Sequence, residues 1–439
     1  MSGPGSSSLS SLPQELLVKV FKNLKTKDLK KVARVNSVCH SICQPLLFTR
    51  LGPRDYRGYE SYENSPMRNL ERHMISAFAF GRESLTKYVR HLTLTAFDDT
   101  LPQQLEPNHF TLLCLLSRQL RSLQLHELCI DKNIKVPASE LADLDLSNLM
   151  QLDLVDSVLR RSSELPLRLD QLKSLRFTCT NSGMNFIPTG LTSLSIGCAN
   201  CEHYDEGPGC TYNLLEKTLK ANPQIKIVDT FRWNGDGITT THHADVLTMI
   251  KRYSPGLQAL SLDADIKKYY HYGVERGEEE TAASQLRTFE YVEVMVARMT
   301  SLQSLRLSVT VNTLWSESRW AEFHAQILQH LTTLQGLRQL SLEIKAFTNS
   351  PLPSSTAVNW NSVDQLGHAA AYAAAFPSLS YLCMREVIQK YHPVNEVEAG
   401  AFYHFIRQDG STAQIEKLSR ESAQYRTVEA SFKDNDVVH

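Results

Sequence analysis

Leu302-Gln303-Ser304-Leu305-Arg306-Leu307 decides the fold, because its leucines are spaced three and then two residues apart and the same spacing returns along the chain. The copies are VRHLTL from Val89, LRSLQL from Leu120, LMQLDL from Leu149, LKSLRF from Leu172, LTSLSI from Leu191, LQALSL from Leu257, LRQLSL from Leu337 and LSYLCM from Leu379, with a degenerate IKIVDT from Ile225. Random leucine richness does not keep fixed offsets while the spacers vary from under twenty to over forty residues. The alternation at the end of each copy is that of a strand with one buried face.

Between copies lie amphipathic stretches of helical period: Tyr212 to Lys220 with Leu215 and Leu219, Ala244 to Tyr253 with Val246, Leu247 and Ile250, and Trp320 to Leu331 with Phe323 and Ile327. Stops at Asn222-Pro223, Ser254-Pro255 and Phe376-Pro377 precede the next copy. Units of strand and helix this small cannot bury their own apolar faces, so they must stack on one another as a solenoid with parallel strands on the concave side and helices on the convex side. The leucines point inward. The residues between and after them are expected to face solvent on the concave wall, a surface for recognition rather than an active-site pocket. Candidate target contacts there are Gln124, His126, Asp153, Arg176, Asp263, Arg306 and Glu343. Two loop-like stretches carrying aromatics, Arg232-Trp233 and the one around Tyr270, join them, because Trp, Tyr and Arg dominate binding hot spots.

Upstream, Leu12-Pro13-Gln14-Glu15 reads as a helix start, with Pro13 in the first turn and Glu15 near the positive helix end. Leu16, Leu17, Val20, Phe21 and Leu24 then form an apolar stripe. A second helix opens at Thr26, with Asp28 in its first turn and Leu29, Val32 and Ala33 on one face; a third holds Val38 and Ile42 and is expected to stop at Pro45. Three helices in about forty residues sit near the lower limit for a self-sufficient core, so this head gains by burying its remaining apolar face against a partner. Lys19, Lys22, Lys25, Lys27, Lys30, Lys31 and Arg34 are read as its solvated face.

The head, LSSLPQELLVKVFKNLKTKDLKKVARVNSVCHSICQPLLF from Leu9 to Phe48, resembles the F-box, and the repeats resemble a leucine-rich-repeat domain. The pair resembles fungal-type substrate receptors of cullin-type ubiquitin ligases. The resemblance implies a fold of mixed α/β class: a short all-helical head, then an irregular leucine-rich-repeat solenoid. It also implies that Leu12, Pro13, Leu16, Leu17, Val20, Phe21, Leu24, Leu29 and Val32 contact a Skp-type adaptor and through it a cullin, while the repeats hold a protein substrate. Cys39 stands where that family usually has a bulky aromatic, and Asn36 where Cys or Ser is common. A leucine-rich scaffold or regulator working outside any ligase is the alternative reading.

The resulting expectation is a loose tail over 1–8, the head over 9–51, a linker with a helix at Arg68 to Phe80 over 52–84, repeats over 85–390, and over 391–439 a capping helix and a polar tail. That capping helix is placed at Glu396 to Gln408 with Phe402 and Phe405, and the tail turns polar from about residue 418.

With 439 residues, 42% apolar, 21% charged and a formal net charge of -1, the chain has the balance of a globular protein and no global field favouring nucleic acid or an anionic membrane. Neither a signal peptide nor a membrane-length apolar run stands out, which points to a cytoplasmic or nuclear protein. Nine cysteines are too sparse for a secreted disulfide scaffold and are read as reduced. Cys198, Cys201, His203 and Cys210 contain enough soft ligands for zinc, but without the paired spacing of a finger they are read as ordinary loop and core residues, and no metal or cofactor is assigned. His242-His243 has no partner placed by sequence. No G-x-S-x-G, phosphate-binding glycine loop or H-E-x-x-H is present, so the chain is expected to be non-catalytic.

Overall fold

The computed structural model describes residues 12–24, 26–51, 87–95, 103–104, 107–126, 128–130, 145–155, 158–159, 168–179, 186–198, 211–233, 240–265, 293–311, 317–348, 365–390, 395–407, 413–419 and 422. The expected tail at 1–8, the linker helix at 68–80, Tyr270 and the Cys201, His203 and Cys210 positions lie outside them. Two compact units emerge, one built on residues up to Leu172 with 183–186, the other on Lys173–Ser182 and everything from Ile187 onward.

The first unit opens with three helices, α1 (Gln14–Lys22), α2 (Thr26–Val32) and α3 (Ser37–Phe48). Pro13 caps α1 from outside it, with φ -54° and ψ 143°, and its carbonyl accepts from the Leu17 N–H at 3.1 Å. Asn36 caps α3: its backbone is extended and its side chain accepts from the Cys39 N–H at 2.7 Å. Contrary to expectation, α3 does not stop at Pro45 but carries it internally and runs to Phe48. An internal proline costs roughly 3 kcal/mol, and here Ser41, whose carbonyl loses its partner, is exposed to water. Burial of Ile42 and Cys43 on either side of that turn, with Leu46 and Leu47 packed against the same core, offsets the loss.

Four parallel strands follow in the order β1 (Arg50–Leu51), β2 (His91–Thr95), β4 (Ser122–His126) and β6 (Gln151–Val155). A second, smaller parallel sheet joins β3 (Gln103–Gln104), β5 (Leu128–Ile130) and β7 (Val158–Leu159). The helix Pro107–Leu116 links β2 to β4.

The second unit carries the rest of the repeats: β8 (Ser174–Cys179), β9 (Ser193–Cys198), β10 (Ile227–Trp233), β11 (Ala259–Asp265), β12 (Ser304–Val311), β13 (Gln339–Thr348) and β14 (Tyr381–Lys390), all parallel and in chain order. Every motif copy found in the sequence becomes one strand, which begins at the third residue of the copy. The first leucine closes a turn before it: Leu302 donates to Met299 O at 3.0 Å, Leu337 to Leu334 O at 3.0 Å and Leu379 to Phe376 O at 3.0 Å. The next residue starts the ladder to the previous repeat, as Arg338 N–H does to Gln303 O at 2.7 Å.

Each crossover advances by one strand in one direction. Right-handed crossovers therefore stack the connecting helices Thr211–Ala221, Thr240–Tyr253, Glu317–Leu331 and Gln365–Ala375 on a single face. On that face Leu305, Leu307, Leu340, Leu342 and Leu382 are fully buried with Leu215, Leu219, Ile250, Phe323 and Ile327 from the helices and Phe376 just after the last of them. Asn222, from one of the sequence stops, ties neighbouring repeats together. Its amide donates to Pro188 O at 2.9 Å and Thr218 O at 2.8 Å, and its carbonyl accepts from Leu191 N–H at 3.0 Å.

The capping helix expected at Glu396 to Gln408 is instead a strand. β15 (Asn395–Ile406) runs antiparallel to β14 along its whole length, and β16 (Gln414–Lys417) pairs with β15. Ten residues of β14 would otherwise present an unpaired edge, and β15 covers it. Phe402 and Phe405 stand on opposite faces of that strand, and both are buried. Their three-residue spacing fits a helix equally well, which is why the pattern misleads.

Candidate protein-interaction surfaces

In the head, α1 divides its apolar stripe. Leu17 and Phe21 are buried in one core with Leu29 of α2 and Cys39, Ile42 and Cys43 of α3, against which Leu24 and Val32 pack half-buried. Leu12, Leu16 and Val20, four apart, face out at 43%, 46% and 48% exposure, with Pro13 exposed beside them. Of the sequence-derived adaptor contacts, Leu17, Phe21 and Leu29 thus hold the helices together, and Leu12, Pro13, Leu16 and Val20 form the accessible surface. Val35 and Val38 are also exposed, Val35 at 70%. The sequence places Val38 and Ile42 on the same third helix, as observed, but only Ile42 is buried. Val38 lies in the first turn, next to the Asn36 cap and ahead of the buried stretch. Lys19, Lys22, Lys27, Lys30, Lys31 and Arg34 are solvated as expected. Cys39 fills the interior of the head, where the family's aromatic would be larger.

On the repeats, register decides which residues share the face opposite the leucines. Arg176, Ser195, Asp229, Ser261, Arg306, Ser341, Cys383 and Phe402 form one row across the second unit, and Asp263, Ser308, Glu343, Arg385 and Gly400 form the next. The expectation that this wall is open to solvent is corrected by the burial. Glu343 is 2% exposed, and Ser308, Ser341 and Arg385 are buried with it; in the first unit Asp153 is buried too. The side chains satisfy one another across the ladder. Arg385 donates to Glu343 Oε2 from Nη2 at 2.6 Å and from Nε at 3.0 Å, while Arg306 Nη2 and Ser308 Oγ each donate to Oε1 at 3.3 Å. Ser195 donates to Asp229 at 2.9 Å, Ser304 to Gln339 at 3.2 Å, and Thr93 to Gln124 at 2.9 Å in the first unit.

Removing one member of such a buried charged set costs about 3–5 kcal/mol, because the remainder stays desolvated. Glu343 is therefore a structural anchor first. Arg306, Arg176 and Gln124 are the half-buried members from which a target could be touched. His126, Arg232, Trp233 and Asp263 lie on described strand backbone, in β4, β10, β10 and β11, but their side chains are outside the described set, as are those of His242 and His243 in the helix Thr240–Tyr253.

Burial pushes the Cys383 thiol up to about 11, with Arg385 opposing and Glu343 adding to the shift, so it stays protonated at neutral pH. Among the described residues no group of three or more His, Cys, Asp or Glu is placed to hold a metal ion, and no helix is long and apolar enough to cross a membrane.

Comparison with known proteins agrees with the head. Residues 9–54 match the F-box-like family model. No curated protein matches the chain as a whole. Among solved structures, the leucine-rich repeat-containing protein LegL7 from Legionella pneumophila is 12% identical, with 70% of this chain and 85% of that one covered at a TM-score of 0.28. A protein from Bacteroides fragilis is 10% identical, with 75% and 74% covered at 0.31. At those TM-scores the repeat architecture stands on this chain's own strand register and leucine burial. The chain carries an F-box-like domain at residues 9–54, followed by a leucine-rich-repeat-type array of parallel strands.

Proposed function

We propose that this chain is a non-catalytic substrate receptor of a cullin-RING ubiquitin ligase. The head docks a Skp-type adaptor, and the repeats hold a target protein beside the ubiquitin-loaded conjugating enzyme. F-box domains in general bind such adaptors, and the observation that carries the reading is the exposed face of Leu12, Leu16 and Val20 on a head already holding a closed core of Leu17, Phe21 and Leu29. Apolar side chains left out at regular helical spacing suit a partner groove. Catalysis by proximity needs no nucleophile here. Tethering raises the effective concentration of target lysines next to an activated thioester. A cytoplasmic or nuclear setting, where such ligases work, belongs to the same proposal.

Leu16→Asp combined with Val20→Asp tests it. Both residues are on the surface, so helical content and melting temperature stay near those of the parent. Capture of the adaptor and cullin by the full chain falls at least thirtyfold. Undiminished capture by the folded double variant refutes the docking surface, and absence of adaptor from captures of the parent refutes the ligase reading.

A further inference from the structure

In the second unit the residue just before each of β8 to β13 is exposed, and these residues form a row. Lys173, Thr192, Lys226, Gln258, Gln303 and Arg338 hold that place, and the N–H of each donates to the carbonyl of the one before it at 2.7–2.9 Å. Three are cations and none is an acid. The turns that lead into β9–β14 contain no Asp or Glu, and Lys220, Lys251 and Arg252 stand in the last turns of the helices Thr211–Ala221 and Thr240–Tyr253. Cations in a last helical turn answer the negative helix end. Lys173, Lys226 and Arg338 are on no helix, and among the described residues they meet no carboxylate. The carboxylate beside the helix ends, Glu216, is already committed: Lys220 pairs with it at 2.8 Å, and the Tyr253 hydroxyl donates to it at 2.9 Å. Since the whole chain carries a formal -1, this positive surplus is local.

We propose that this strand-start edge of the second unit docks an acidic segment of a protein partner in extended form. From Lys173 to Arg338 is five strand spacings, about 24 Å, the length of about seven extended residues. Lysines outnumber arginines along the edge, and an ammonium is a point charge without a planar fork, which suits carboxylates at variable spacing. Nucleic acid is the other polyanion to weigh, and single strands bind by stacking bases on aromatic rings as well as by charge. The ring on this edge, Tyr253, is half-buried and has Lys220 and Arg252 over it, each 5.3 Å from its centroid. The edge therefore offers charge without a bare stacking platform. Nothing in this proposal depends on what the head binds.

The probe is a fluorescent twelve-residue peptide of alternating glutamate and serine, titrated against the full chain by anisotropy. Saturable binding is expected, and raising salt from about 50 to about 300 mM weakens it at least fivefold. Lys226→Glu combined with Arg338→Glu weakens it at least tenfold with the melting temperature nearly unchanged, and the milder Lys226→Gln with Arg338→Gln weakens it in the same direction. Lys30→Glu with Lys31→Glu in the head makes the same change in net charge as the first pair and leaves the affinity within twofold. Absence of saturable binding by the parent, equal losses in the two glutamate pairs, or tighter binding of a twelve-nucleotide oligouridine than of the peptide overturns the inference.

Discussion

His324, on the helix Glu317–Leu331, is buried between aromatic rings. Trp320 stacks on it at 5.4 Å, the His368 ring lies 4.3 Å away, and its Nδ1 pairs with the Tyr372 hydroxyl at 2.9 Å. Burial, with the neighbouring His368 adding to it, brings its pKa down to about 3 from an ordinary 6.5. The folded protein therefore keeps this ring neutral while the unfolded chain protonates it below pH 6.5. Stability contributed by His324 is whole above that value and falls as pH drops toward 3, by up to about 1.4 kcal/mol per unit. Among the described residues, His368, Tyr372 and Glu293, which lies near enough to act on Tyr372, are titratable groups at this site. Urea midpoints measured at pH 7, 6 and 5 should decline in the parent and decline less in His324→Gln, which keeps a hydrogen-bonding group without the titration. Equal slopes in the two proteins refute this assignment. Neither this site nor the Glu343 cluster was legible in the sequence. His324 sits in an amphipathic stretch whose apolar residues explain the helix without it, and Glu343 occupies a position that alternation assigns to solvent. What buries them is a residue from another repeat, 48 positions on for His324 and 42 for Glu343.

At the scale of elements, β15 shows how one glycine is set by the strand beside it. Gly400 stands opposite Arg385, and a Cβ there would lie 2.7 Å from Met384 O and 3.2 Å from the Arg385 Cγ, closer than side chains tolerate. Gly400→Ala must push the strand or the Arg385 stem aside, and Arg385 holds Glu343. A loss of about 1–3 kcal/mol is expected, as for overpacking elsewhere, read as a lowered urea midpoint with unchanged denaturant slope; a neutral substitution would show that the pairing has slack. The strand of each motif copy was legible in place though not in its bounds, because the leucine offsets report burial on one face, and that burial is what forms it. β15 was not, because both of its faces are buried and the alternation disappears. Nor was the two-residue β1, which among the described residues pairs with β2 alone and carries no leucine motif. Pro45 misled for the opposite reason: its local preference is strong, and the packing of α3 against α1 and α2 is stronger.

For the molecule as a whole, a stack of repeats is held by nearest neighbours, so its ends carry a burden the interior does not. At the C-terminal end β14 would expose ten residues of backbone edge, with Leu382 and Met384 of the leucine core beside it. β15 closes both, through a full-length antiparallel pairing and through Ala401, Tyr403 and Phe405, and the shorter β16 follows with only four residues at the new edge, two of them charged. That short, charged terminus is a device against edge-to-edge pairing. A chain ended at residue 394 should therefore lose more than the stability of the missing strands. It should self-associate, with light scattering rising with concentration and gel filtration shifting to large species, while a chain ended at Ser419 stays monodisperse under the same conditions. If the chain ended at 394 remained as monodisperse as the longer one, β14 would be shown to tolerate solvent, and the role of β15 would reduce to packing Phe402 with Cys383 and Leu418.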